Sequence, residues 1–247
     1  MPSATEPKLR RPHQRAAMVL LLAVSCLALT ASAVPMARAV TAPSSGCAAV
    51  NIITARASTE SPGEGITGSL VTQIVNSSKQ TVSREAVVYP ATLTNYANSE
   101  SQGVTNAEQE LTTAVQNCPN QKEVLLGYSQ GAEVSMDVIA GNSEVGGTVA
   151  PVSTSVSSHV VAVANFGDPG HVVNEPWDLG TATRNGLFPR GASQIQSLSA
   201  FGSGKIASWC DSGDPYCASG FSLNVHLTYL NRYQNAAASF VLSKIGG

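Results

Sequence analysis

Ser129 stands at the centre of Gly127-Tyr128-Ser129-Gln130-Gly131, a spacing that suits a serine nucleophile. An attacking hydroxyl has to be presented on a sharp turn. A glycine two residues to either side leaves room for tight backbone and for close approach of a substrate. With 30 serines and 21 glycines in 247 residues, the bare pattern carries little weight by itself. Its surroundings carry more. Glu123-Val124-Leu125-Leu126 reads as a short apolar strand, and Ala132 to Ala140 as a helix. A strand–serine–helix turn holds the hydroxyl out at the end of a sheet.

A serine hydroxyl is a weak nucleophile, so it needs a base to take its proton and a third group to orient that base. Past the basic N-terminal segment there are three histidines, His159, His171 and His226. His159 opens an apolar strand on the side away from Ser129 and reads as structural. His171 follows Asp168-Pro169-Gly170; an Asp168/His171 metal pair lacks a third ligand nearby in sequence, so no metal site is expected. His226, in a loop before the last helix, lies downstream of every acid candidate, which gives the chain order serine, acid, histidine. The acid stays open on these grounds. Asp168 sits at a strand end, whereas Asp214 sits inside a small loop that a Cys210–Cys217 bridge would close. Asp211 and Asp178 read as solvated.

The elements that position these groups alternate. Ala48 to Thr54, Glu85 to Tyr89, the strand ending at Gly127, His159 to Phe166 and Lys205 to Cys210 read as strands. Ile66 to Ser77 reads as a helix with Leu70, Val71, Ile74 and Val75 on one face. Thr105-Asn106-Ala107-Glu108 forms a capping-box pattern for a helix running to Asn117, and Tyr229 to Ile245 forms a terminal helix. This order predicts an α/β fold with a mostly parallel sheet covered on both faces. Ligands sit beyond the carboxyl ends of such strands, where Ser129 and Asp168 both fall.

The N-terminus reads as an export signal. Lys8, Arg10, Arg11 and Arg15 precede an apolar stretch from Ala16 to Ala31, which is short for a membrane span. Ala31-Ser32-Ala33 and Ala37-Arg38-Ala39 follow as two cleavage candidates, giving a signal peptide over 1–39 and a single domain over 40–247. Loss of 1–39 removes five basic residues and Glu6, so the net charge moves from −2 to −6. That leaves no basic patch for nucleic acid or for an anionic membrane. Cys26 goes as well, leaving four cysteines and three possible pairings in an oxidising compartment. Proximity favours Cys210 with Cys217, which leaves Cys47 with Cys118. Asn76-Ser77-Ser78 is a glycosylation sequon.

The chain resembles the cutinase and acetylxylan esterase family of secreted serine esterases. The likeness is carried by Thr54-Ala55-Arg56-Ala57-Ser58-Thr59-Glu60, Val88-Tyr89-Pro90-Ala91, Gly127-Tyr128-Ser129-Gln130-Gly131-Ala132 and Phe166-Gly167-Asp168-Pro169. It continues through Cys210-Asp211-Ser212-Gly213-Asp214-Pro215-Tyr216-Cys217 and Asn224-Val225-His226. The resemblance implies a three-layer α/β-hydrolase-like sandwich without a lid domain. It also implies Ser129 as nucleophile, Asp214 as orienting acid and His226 as base, with Asp168 a structural residue of its turn. Backbone N–H of Gln130 and Ser58 would form the oxyanion hole, and the family's disulfide pattern supports Cys47–Cys118. The chain departs at Ala57, where cutinases usually carry glycine; a positive φ there would strain an alanine.

The mechanism that the resemblance implies needs no metal or organic cofactor, and its substrates would be cutin-type polyester, acetylated xylan or short-chain esters; a monomer is expected. Asp214-Pro215-Tyr216-Cys217 and Pro176-Trp177-Asp178-Leu179-Gly180 look closer to acetylxylan esterases, with Trp177 and Tyr216 as sugar-stacking candidates. Phe221, Leu223 and Leu227 instead suit longer acyl chains. Without a lid, Ser129 is expected to be exposed. An acyltransferase and a non-catalytic carbohydrate- or lipid-binding protein on the same scaffold are the competing readings.

Overall fold

The computed structural model describes residues 46–142 and 148–246; the signal segment and both cleavage candidates lie outside them. In chain order the elements are β1 (Val50–Ala55), α1 (Gly68–Ser77), β2 (Val82–Ala86), α2 (Tyr96–Asn117), β3 (Lys122–Tyr128) and α3 (Gln130–Ala140). They continue with α4 (Thr154–Ser157), β4 (Val160–Phe166), β5 (Asp178–Gly180), α5 (Ala192–Phe201), β6 (Ile206–Cys210), α6 (Leu223–Leu227) and α7 (Tyr229–Ile245). The six strands form one sheet in the order β2-β1-β3-β4-β6-β5, and every neighbouring pair is parallel. The expectation of a mostly parallel sheet is met in full.

Alternation along the strands divides the core. Val50 and Ile52 of β1, Val124 and Leu126 of β3, and Ala162, Ala164 and Phe166 of β4 face α1 and α7, packing on Leu70, Ile74, Val241 and Ile245. Ile53 and Ala55, Leu125 and Val163 point to the other side, against Val104 and Leu111 of α2, Val134 and Val138 of α3, and Leu198 of α5. Strands buried on both faces read as continuous apolar runs, which is why β3 and β4 were legible. The chain closes with two disulfides, Cys47–Cys118 and Cys210–Cys217.

Most element ends shift by one or two residues from expectation, and four differences bear on the site. The second strand is Val82–Ala86, not Glu85 to Tyr89, because pairing with β1 ends at Ala86. Beyond it the carbonyls of Val87, Tyr89 and Pro90 accept hydrogen bonds from the Arg56 guanidinium, which draws the backbone out of the ladder. Helix α2 starts at Tyr96, so the capping-box residue Thr105 lies inside it and donates to the Ser101 carbonyl. The helix after Ser129 begins at Gln130. His226 lies in the short helix α6 rather than in a loop.

Glu123 is fully buried on β3, with Oε2 accepting from Asn51 Nδ2 at 3.1 Å and Oε1 unpartnered. Burial pushes its carboxyl up from 4.5 to about 7. The folded chain therefore holds a proton that the unfolded chain has lost between those values, and stability falls as pH rises through that window. Glu123→Gln should raise stability by about 1–2 kcal/mol above pH 7 and change little below pH 4.5. Thermal melts at the two pH values test this; an equal gain at both would refute the linkage.

Candidate active site

Strand β3 ends at Tyr128 and α3 begins at Gln130, so Ser129 is the whole turn between them. Its backbone stands at φ 55°, ψ −123°, a conformation costly for a residue with a Cβ. The surroundings enforce it: the Ser129 N–H bonds the Phe166 carbonyl at 2.8 Å. A Cβ on Gly127 would lie 2.3 Å from the Gly131 carbonyl oxygen, and one on Gly131 would lie 2.0 Å from that of Ala55. The two motif glycines thus allow the helix to pack directly on the strands. Ser129 is only 9 % exposed, so the expectation of an openly exposed serine is corrected: it lies on the floor of a cleft.

His226 lines the same cleft, with its Nδ1 2.8 Å from Asp214 Oδ2. Asp214 has no exposed surface. Its Oδ1 accepts from the N–H groups of Tyr216 (2.7 Å) and Cys217 (3.1 Å), and its Oδ2 also accepts from the Tyr229 hydroxyl (2.8 Å). Burial works against ionisation, but the hydrogen bond and charge of His226, with those two N–H groups, hold the carboxyl below the usual range. An ionised Asp214 fixes the proton on Nδ1 and leaves Nε2 as the ring's acceptor. The Cys210–Cys217 bridge closes the loop that presents this acid. The rings of Tyr216 (4.5 Å between centroids) and Tyr128 (5.7 Å) pack edge-on against the imidazole, and the Tyr128 hydroxyl donates to the His226 carbonyl.

Gln130 opens α3, where backbone N–H groups lack intrahelical acceptors and the helix dipole favours negative charge. Ser58 lines the cleft too, and its buried Oγ has no hydrogen-bond partner among the described residues. The concern over Ala57 lifts, because the positive φ falls on Thr59 (70°). Glu60 braces this loop, accepting from the N–H groups of Ala57 and Ile66 at 2.7 Å each.

The other candidates lie elsewhere. Asp168 does not meet His226: its Oδ2 takes Arg190 Nη1 at 2.6 Å and its Oδ1 takes the Gly170 N–H. Nor does it pair with His171, whose Nδ1 lies 3.5 Å from Asp178 Oδ1. Asp211, expected to be solvated, is buried and bonds Arg232, Tyr233 and Thr181. Asp178, also expected to be solvated, is partly buried beside His171, and burial raises its carboxyl to about 6. His159 is half-buried just before β4. Trp177 is buried in the core and cannot stack on a sugar. Sequence reasoning missed Arg190, Tyr96 and Tyr229, whose partners lie far along the chain.

The cleft holds about 510 Å³ and is lined mostly by apolar atoms, from Ile66, Leu93, Pro169, Leu187, Phe188, Leu223 and Leu227 among others. Leu93, Leu187, Leu223 and Leu227 are each about half exposed, and Phe221 is 97 % exposed.

Comparison with known proteins fits this geometry. The family model described as Cutinase matches residues 46–245. Cutinase 11 of Verticillium dahliae is 33 % identical over 210 residues, covering 81 % of this chain and 70 % of that one. Acetylxylan esterase 2 of Talaromyces purpureogenus is 31 % identical over 235 residues, covering 91 % and 97 %. Among solved structures, the catalytic core domain of acetyl xylan esterase from Trichoderma reesei superposes with a TM-score of 0.72 at 31 % identity, covering 81 % of this chain and all of that one.

Proposed function

The chain belongs to the cutinase family and is an ester hydrolase, and from that premise we propose a Ser129–His226–Asp214 triad acting on esters of medium-chain acids or apolar polyesters. Ser129 Oγ attacks the ester carbonyl while His226 Nε2 takes its proton. The Gln130 N–H and Ser58 receive the developing oxyanion. His226 returns the proton to the leaving alcohol, and water, activated in the same way, releases the acid from Ser129. Asp214, kept ionised by its donors, holds the imidazole in one tautomer throughout. No step calls for a metal or organic cofactor.

The observation that carries the substrate assignment is the cleft's exposed leucine rim. An acetyl group covers little of such a surface, whereas a longer acyl chain can bury against it. The relatives include both a cutinase and an acetylxylan esterase, and the apolar mouth supports the longer-chain reading. The basic and apolar N-terminal sequence and the two disulfides support work outside the cell.

The test is kcat/KM for p-nitrophenyl esters from acetate to palmitate. Activity should peak between butyrate and decanoate, and Leu227→Ser should lower octanoate turnover about tenfold while acetate changes less than threefold. Activity confined to acetate would assign a polysaccharide deacetylase instead.

A further inference from the structure

Beneath the cleft lies a buried polar cluster that the mechanism above does not use. Arg190, almost fully buried, donates through Nε to Asp137 Oδ1 (2.6 Å), through Nη1 to Asp168 Oδ2 (2.6 Å) and through Nη2 to the Glu133 carbonyl (3.2 Å). Glu133, on the first turn of α3, is buried beside them, and its carboxyl bonds the Tyr96 hydroxyl. Tyr96 and Phe188 both line the cleft, with ring centroids 5.2 Å apart.

Three segments therefore meet at one helical turn. Gln130 ties down residues 92–99, with Oε1 accepting from Ser99 Oγ (3.1 Å) and Nε2 donating to the carbonyls of Thr92 (3.3 Å) and Tyr96 (3.4 Å). Arg190 ties down the segment that carries Pro169, Leu187 and Phe188. None of these bonds reaches the Tyr96 ring, which packs against Phe188 and is held at its hydroxyl by Glu133.

We propose that Glu133 is the positioning residue of the substrate cleft: through the Tyr96 phenol it fixes the aromatic wall of Tyr96 and Phe188, and so sets which acyl chains are accepted. Burial and the neighbouring Asp137, Asp168 and Glu100 charges raise its carboxyl well above the usual range. A neutral acid meets the phenol without placing another charge in a cluster already rich in carboxylates. An amide can do the same, whereas an alkyl side chain cannot.

Because the inference rests on the medium-chain assignment above, the experiment reads the whole chain-length series. Glu133→Leu and Tyr96→Phe are compared with wild type and Glu133→Gln, with near-UV circular dichroism and melting temperature recorded for each. Both disrupting variants should lower the octanoate-to-acetate ratio of kcat/KM at least fivefold, through KM rather than kcat, and Glu133→Gln should keep the wild-type ratio. Should Glu133→Leu fail to fold, Tyr96→Phe, which loses only an oxygen, carries the test alone. A wild-type preference for acetate would remove the medium-chain assignment and this inference together. A medium-chain wild type whose profile survives in the folded disrupting variants would overturn the inference alone. A shifted profile in Glu133→Gln would overturn it as well.

Discussion

Ser129→Ala should lower kcat/KM for a preferred ester by at least about 10⁴-fold and leave the fold intact. The cleft has no second nucleophile placed to substitute: the remaining hydroxyls that line it are those of Ser58, Thr59, Tyr96, Tyr128 and Tyr216. Tyr96 and Tyr128 are hydrogen-bonded, and burial raises both phenols well above their ordinary value. Ser58 and Thr59 lie on the loop after β1, not on a strand–helix turn. The protein should melt near the wild-type temperature, because alanine has the same Cβ and so the same strained backbone at φ 55°. Ser129→Gly relieves that strain and should melt higher than Ser129→Ala while being as inactive. Equal melting of the two would show that the turn stores no strain; retained activity in either would remove Ser129 from the mechanism.

Arg190→Met should cost about 3–5 kcal/mol, or roughly 10 °C in melting temperature. The guanidinium is the group that neutralises two buried carboxylates, Asp137 and Asp168, and it also caps the Glu133 carbonyl. A methionine of similar length fills the space and removes both ion pairs. Gly170 packs against the guanidinium so closely that a Cβ there would lie 2.4 Å from Nη1. A urea titration measures the loss. A change under 1 kcal/mol would mean that Asp137 and Asp168 find other partners, and the cluster would not be the anchor of the cleft's aromatic wall.

How far the sequence revealed the site depends on where each partner lies in the chain. The elbow was legible because Glu123 to Leu126 is apolar and both flanking glycines are close by. The acid was not decided by spacing, since Asp168 follows β4 and Asp214 follows β6, both at the carboxyl edge of the sheet. Only family resemblance favoured Asp214, whose Oδ2 lies 2.8 Å from His226 Nδ1. The first turns of α2 gave no apolar period because their buried face is Ser99, Glu100, Ser101 and Gly103. Those polar groups are matched by distant partners, Ser99 by Gln130 and Glu100 by Asn142. Arg190 was invisible for the same reason: its partners stand 22, 53 and 57 residues away. Strand β5, three residues long, and α6, five, are too short to show a period at all. Trp177 looked like a sugar platform only because burial cannot be read from an isolated tryptophan.

The most direct measurement is peptide mapping after inactivation by an aryl alkylphosphonate, which reacts only with a serine activated for attack. The expected result is one adduct per chain, on the peptide carrying Ser129, formed in step with the loss of esterase activity and absent from Ser129→Ala. An adduct on another residue, or full inactivation with Ser129 unmodified, would contradict the assignment of Ser129 as the nucleophile.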